Sequence, residues 1–335
     1  MNKELIFTST KDWDKDKWLR FRKDGIGASE VGTVLGLNPY KSACELWHEK
    51  LDPEPVYSVE SISQFMGHYD EEKVADLWQY WDGSPESVIA NYRAGKIVRK
   101  CQRVNGYIQN PKYPWLFVSL DRKINKINGK EGALEIKTIN GYEADKWEAG
   151  IPMSHVVQLA DQMLVCEFEF GELAVLKDGR DFQVYPFEVR EAIETVIIER
   201  TKHFWDTVKE GRMIATQKFE AARNFNMRYA NELQAKLDML EPEPDGSEAY
   251  ERFMRDKFKK SMAEVGVIPG TNDALLLARD YKAQQEEMKV LEEKMRRNSN
   301  ELKRILANNS KMDFGKDGYV SWAGDPRRFS VRLKG

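Results

Sequence analysis

Along the first two hundred positions, apolar residues recur first at helical and then at strand spacing. Trp13, Trp18 and Phe21 fall on one face of a short helix starting near Asp12. The run Gly25-Ile-Gly-Ala-Ser29 breaks it, and a second short helix with Ser29 near its start follows. Asn38-Pro39 is a turn, and Ser42 with Glu45 has the spacing of a capping box that opens a helix through Glu49. A longer helix is predicted over residues 63–81, with Phe65, Val74, Leu77, Trp78 and Trp81 on its apolar side. Strand patterns follow at 87–92, 96–98, 115–118, 121–127 and 133–139, the last two joined by a turn at Gly129–Gly132. A helix over 154–166 leads to strands at 173–177 and 182–187, linked by Asp178-Gly179-Arg180, and then to a helix from Glu191 past Lys209. This order predicts an α/β (or α+β) fold with a sheet flanked by helices.

Beyond residue 216 the texture becomes charged, long-period helix, which divides the chain into 1–215 and a C-terminal helical arm over 216–335. Glu241-Pro-Glu-Pro-Asp-Gly-Ser247 reads as a linker or tight loop. Tyr281, Met288, Leu291, Met295, Leu302 and Ile305 keep a and d spacing over four heptads, with Gln284 and Asn298 in the remaining slots. That seam is expected to pack antiparallel on a helix over 219–240. A β-hairpin over 318–333, turning at Asp325-Pro326, ends the arm.

Composition narrows the class. At 41% hydrophobic and 32% charged residues the chain reads as an ordinary folded protein, and no apolar run approaches the ~20 residues of a membrane span. The N-terminus lacks the apolar core of a secretory signal. Three well-separated cysteines argue against a disulfide framework or an iron–sulfur cluster, and a reducing cytoplasm is expected. The four histidines are scattered without mutual ligand spacing, which argues against zinc. A net charge of −3 does not advertise a nucleic-acid binder. Its distribution is less neutral: between Arg93 and Lys130 stand ten basic residues and one acid, Asp121, with Tyr107, Tyr113 and Trp115 interleaved. A solvated basic surface and a DNA-facing one both fit that pattern.

Asp121 and the triplet Glu135-Ile136-Lys137 carry the sharper signal. On a strand, residues i and i+2 share a face, so Glu135 and Lys137 point one way and Ile136 the other. A hairpin would return the strand of Asp121 beside them. Two carboxylates suit Mg²⁺, and the lysine can orient the attacking water or stabilise charge on a phosphate. Glu71, among three successive acids, fits either a solvated helix face or a carboxylate reaching a metal through water. Gln158 is either a satisfied core amide or a ligand of water or phosphate. Around Gly27, free N–H groups at the start of the Ser29 helix make a candidate anion site within reach of Arg22. No strand is expected to feed that turn.

Taken in order, the stretches 22–31, 37–47, 67–71, 114–121, 134–138 and 157–162 resemble the YqaJ-type viral recombination exonucleases. The resemblance implies a restriction-endonuclease-like PD-(D/E)XK core with a central mixed β-sheet, in a phage or prophage enzyme working in the cytoplasm of a bacterial host. It implies Mg²⁺-dependent 5′→3′ digestion of linear double-stranded DNA, with two ions at the site and Mn²⁺ able to substitute. Asp121, Glu135 and the backbone carbonyl of Ile136 would be metal ligands, Lys137 the catalytic lysine, and Glu71 and Gln158 supporting groups. Arg22 and Ser29 match positions that hold a 5′-terminal phosphate. A single-strand annealing protein is the implied partner, and a trimeric ring the implied assembly. Leu120 stands where relatives usually carry proline, and Ala160 where many carry glutamine. The rival expectations are an endonuclease of the same fold and a non-catalytic DNA-end-binding protein.

Overall fold

A computed structural model of the protein describes residues 4–57, 59–141, 147, 150–188, 190–259, 268–324 and 328–333. Elements run β1 (Ile6–Ser9), α1 (Lys15–Lys23), β2 (Ile26–Gly27), α2 (Ala28–Val34), α3 (Ala43–Leu51), α4 (Ile62–Gln79) and α5 (Pro85–Arg93). Next come β3 (Cys101–Gln102), β4 (Gly106–Gln109), β5 (Leu116–Phe117), β6 (Arg122–Ile127), β7 (Lys130–Ile139), α6 (Met153–Cys166), β8 (Phe170–Lys177) and β9 (Asp181–Glu188). Last are α7 (Glu191–Arg223), α8 (Met227–Leu240), α9 (Glu248–Phe258), α10 (Asn272–Leu306), β10 (Lys311–Asp313), β11 (Gly318–Ala323) and β12 (Arg328–Leu333). Among the described residues no helix is long and apolar enough to cross a membrane.

Polar caps set the helix starts. Ser42 accepts from the N–H of Glu45, and Ser61 and Gln64 close a capping box on α4. Ser84 caps α5 with Pro85 at its first position, which corrects the strand expected at 87–92. The β-branched pair Val88-Ile89 is overruled by a Ser-Pro-Glu start signal. Residues 96–98 form no strand; Cys101–Gln102 joins the sheet instead.

The central sheet has the order β3-β6-β7-β8-β9, with β7 and β8 parallel and the other pairs antiparallel. The mixed α/β architecture expected from sequence is therefore present. A parallel central pair needs both faces covered, and β8 accordingly carries three consecutive buried residues, Leu173, Ala174 and Val175. One face packs Ala133, Leu173 and Val175 against Val157, Leu159 and Met163 of α6. The other packs Leu134, Ile136 and Ala174 against Val74 and Trp78 of α4. Fully burying each large side chain contributes about 1.5–3 kcal/mol.

The turn between β6 and β7 is tighter than expected. Asn128 and Gly129 both have positive φ, 53° and 83°, and Ile127 pairs with Lys130. This is the Asn-Gly two-residue hairpin loop. Gly132 is thus a strand residue, and a Cβ on it would lie 2.7 Å from the Phe170 ring. The glycine turn near residue 25 is fed by a strand after all: Ile26–Gly27 pairs in parallel with Leu116–Phe117.

The chain divides into two compact units, Met1–Lys260 and Ser261–Gly335, so the boundary is not at 215/216. The reason is local, since α7 runs unbroken through those residues and α8 returns to bury Ala230, Leu233 and Leu237 in the core of the first unit. That face of α8 is in use within the first unit. In the second unit, α10 is a single 35-residue helix capped by Thr271. Its seam residues Tyr281, Met288, Leu291, Met295 and Ile305 are exposed. The terminal hairpin is there, extended by β10 to a three-stranded sheet, while Asp325-Pro326 lie outside the described residues. The Lys303 ammonium sits over the Phe329 ring at 5.0 Å, which ties the end of α10 to this sheet.

Candidate active site

β7 supplies two of the groups. Its period of two turns Glu135 and Lys137 to the side of the sheet that α6 covers, as the sequence predicts. The register sets Arg122 opposite Leu134, which brings Asp121, just ahead of β6, level with Glu135. Asp121 Oδ2 accepts from the Ile136 N–H at 2.8 Å, so the carboxylate is anchored to the strand between the other two groups. The Ile136 N–H is thereby engaged on the Asp121 side of the site.

Glu135 is only 1% exposed. Its Oε1 accepts from Gln158 Nε2 and its Oε2 from Gln162 Nε2, each at 2.6 Å, while Lys137 Nζ lies 2.6 Å from Oε1. Gln158 Oε1 faces Lys137 Nζ at 3.4 Å. Gln158 is therefore neither an idle core amide nor a free one; it bridges the two β7 side chains. Gln162 was missed by the sequence reading. Its spacing of four from Gln158 puts both amides on one helix face, which is the signal that reveals it.

Electrostatics follow from this crowding. Burial and then the charge of Glu135 push the Asp121 carboxyl well above its ordinary range, against the pull of Lys137. Burial works against the Lys137 ammonium, but Glu135 and Asp121 outweigh it and hold that group above its ordinary value. His155, also missed, is held neutral, down at about 4, by burial and then by the Lys137 charge. Its ring stacks on Trp147 at 5.4 Å.

Glu71 comes from α4. It pairs with the buried Arg122, whose other terminal nitrogen lies 2.9 Å from Glu72. Its charge also raises Asp121, so it borders the site, although its direct partner is an arginine. Arg122 belongs to the basic stretch that fits either a solvated or a DNA-facing surface by sequence. Six of those ten residues instead carry acid partners: Arg99, Arg103, Lys112, Arg122, Lys123 and Lys130. Arg99 further stacks on Trp78 at 4.3 Å.

The glycine turn is also more occupied than its sequence suggests. The Gly27 N–H donates to Glu30 Oε2 at 2.9 Å, Arg22 pairs with Glu30 Oε1 at 2.8 Å, and Lys50 donates to Oε2 at 2.8 Å. Burial alone would raise the Glu30 carboxyl, but Lys50 and Arg22 prevail and hold it at about 2. Gly27 is thus spent on an internal cap. Ser29 remains available: with Lys137, Gln158, His155, Thr138 and Trp147 it lines one cavity of about 460 Å³.

Residues 17–169 match the family model of the YqaJ-like viral recombinase domain. The matched stretch takes in all the candidate site residues, from Arg22 to Gln162. Over 230 residues the chain is 29% identical to the uncharacterized protein YqaJ of Bacillus subtilis (strain 168), a match covering 67% of this chain and 66% of that one. Among solved structures, an alkaline exonuclease of Laribacter hongkongensis, LHK-Exo, aligns with a TM-score of 0.46 at 17% identity, over 62% of this chain and 99% of that one. LHK-Exo in complex with dAMP gives 0.47 at 18% over the same shares. A phage related exonuclease from Haemophilus somnus 129PT gives 0.36 at 11%, over 56% and 96%.

Proposed function

We propose that this YqaJ-like chain is a Mg²⁺-dependent exonuclease that digests linear double-stranded DNA in the 5′→3′ direction. Its product, a 3′ single strand, would pass to a single-strand annealing protein. The observation that carries the reading is Glu135: a buried carboxylate, held on both oxygens by glutamine amides, with Lys137 against it and Asp121 level with it across the hairpin.

The donor set fits a hard divalent cation. Two close carboxylates, one of them pushed upward by the other, form a site short of positive charge, and oxygen ligands are what Mg²⁺ takes. Asp121 and Glu135 would hold the ion, with the Ile136 carbonyl as the remaining protein ligand. When bound, it supplies charge neutralisation for the phosphate under attack and lowers the cost of deprotonating water. Lys137, kept protonated by its two acid neighbours, donates to a phosphate oxygen at the cavity wall. Gln158, fixed between Glu135 and Lys137, orients the water that adds to phosphorus as the P–O3′ bond breaks. Ser29, on the same cavity, marks the side from which a 5′ end enters, with Arg22 behind it.

The test uses linear duplexes labelled at either the 5′ or the 3′ end, incubated with Mg²⁺ and then with chelator. Early loss of the 5′ label as mononucleotide, with closed circular duplex spared and chelator blocking both, is the expected result. Degradation of closed circles points to the endonuclease reading. Binding to ends without cleavage points to the non-catalytic one.

A further inference from the structure

Far from β7 in sequence, a second constellation converges in the first unit. Cys44 and His48 stand one turn apart on α3, so their side chains share a face. Glu241 caps the C-terminal end of α8, its N–H bonded to the Leu237 carbonyl and Pro242 following. Donor atoms of these three residues all lie within 4.8 Å of one another. We propose that Cys44, His48 and Glu241 form a binding site for a zinc-class transition-metal ion, distinct from the nuclease centre.

The argument starts from one overcommitted oxygen. Glu241 Oε1 receives Cys44 Sγ at 2.7 Å, His48 Nε2 at 2.9 Å and Lys257 Nζ at 2.9 Å. The Lys257 ammonium also sits 3.1 Å from His48 Nε2. A single imidazole nitrogen cannot donate to Glu241 and accept from Lys257 at once. That conflict disappears if a cation takes the place of the protons. The lone pairs of a thiolate, a neutral imidazole and a carboxylate can then all point to one centre.

Charge and ligand chemistry agree. A thiol, a neutral imidazole, a carboxylate and an ammonium sum to zero. A thiolate, a neutral imidazole, a carboxylate and a divalent ion also sum to zero once Lys257 swings outward. The Cys44 proton then passes to buffer. Lys257 is 30% exposed and its stem is long enough to leave. Thiolate and imidazole select zinc-class ions over Mg²⁺, so the two centres would not compete for one metal. Bonds of about 2.0–2.3 Å in a tetrahedron place neighbouring ligand atoms roughly 3.4 Å apart, so the observed separations need to open by less than about 1 Å. His48 and Glu241 also line a cavity of about 730 Å³, with Trp47, Leu51, Leu237 and Tyr250. Such an ion would bolt α3 to the end of α8, across almost two hundred residues of chain.

The full-length chain, stripped with chelator and kept reduced, is titrated with Co²⁺ as the optical probe. One equivalent should produce a near-UV thiolate charge-transfer band with intense visible bands, and Zn²⁺ should bleach both. Cys44→Ser should abolish the charge-transfer band and weaken Zn²⁺, read by competition with a chromogenic chelator, by at least about tenfold. A combined Asp121→Asn, Glu135→Gln chain should keep the band, because its ligands lie elsewhere. Absence of the band in the wild-type chain, or its survival in Cys44→Ser, overturns the proposal. If Cys44→Ser does not fold, the more exposed positions decide: His48→Gln must weaken Zn²⁺ binding and Lys257→Gln must tighten it, and unchanged affinity in both overturns the site.

Discussion

Gln162 holds Oε2 of Glu135 from the next turn of the helix after Gln158, so two amides one helical turn apart fix both oxygens of a single carboxylate. That pairing gives the site its rigidity. Gln162→Leu keeps the size and helix propensity but leaves Oε2 of a buried carboxylate without a donor, at a cost of about 1–3 kcal/mol. Cleavage should fall about tenfold or more, chiefly in kcat, with the circular dichroism spectrum unchanged. Wild-type kcat in that variant would show that Gln158 and Lys137 suffice.

Lys137→Ala and Asp121→Asn bear on the chemistry itself. Each should slow Mg²⁺-dependent cleavage by about 100- to 1,000-fold, the scale of losing one preorganised group that stabilises charge at the reacting phosphate. Binding to duplex DNA, followed by anisotropy across a salt series, should persist. For Lys137→Ala the salt slope should change by no more than about one unit.

Asp161 is fully buried on α6, and among the described residues neither carboxyl oxygen has a hydrogen-bond partner. Burial drives its pKa well above the ordinary 3.8, so as pH rises past 3.8 the folded state keeps a proton that the unfolded chain releases. Stability is then highest below the unfolded value and falls as pH rises above it. Asp161→Asn should raise the thermal midpoint at pH 7.5, and the gain should shrink toward pH 4. A lower midpoint at both values would mean that the carboxyl makes a contact that matters.

Glu30 has the opposite sign. Its folded pKa, about 2, lies below the ordinary 4.5, so its contribution is complete above 4.5 and is lost as pH falls toward 2. Glu30→Gln strands Lys50, 2% exposed, beside Arg22 without a carboxylate, and should cost about 3–5 kcal/mol at pH 7. Urea unfolding at pH 7 and pH 3 should show a difference between wild type and variant that narrows at the lower pH.

The division after residue 260 makes a truncation informative. A chain ending there retains the whole sheet, both apolar clusters and every candidate site residue. It should be soluble, unfold cooperatively and keep its cleavage activity on short duplexes. A fragment ending at 215 would cut α7 and remove Leu233 and Leu237 from the core, and should be poorly folded.

Much of this was legible because it is local. The period-two placement of Glu135 and Lys137, the helix of Gln158 and the long α10 all follow from spacing. The helix at Pro85–Arg93 was misread because two β-branched residues outweighed a cap that the same sequence spells out. The basic stretch stayed open for a different reason: its acid partners Glu72, Glu167, Glu169 and Glu172 come from α4 and from around β8, and only the fold brings them there. Cys44 and His48 likewise gain meaning only when Glu241, 193 residues beyond His48, closes on them.

The parallel pairing of β7 with β8 has a further consequence for how the molecule comes together. A parallel pair needs a crossover, and here α6 lies on that crossover, so Asp121, Glu135, Lys137, Gln158 and Gln162 all sit within a single hairpin and βαβ passage. The contacts that define the site span short loops compared with the length of the first unit, and short loops close at small entropic cost. The reactive groups therefore belong to one continuous stretch of chain, closed by the parallel pairing of β7 with β8. Helices α7 and α8 pack against a site whose groups this one stretch of chain already contains.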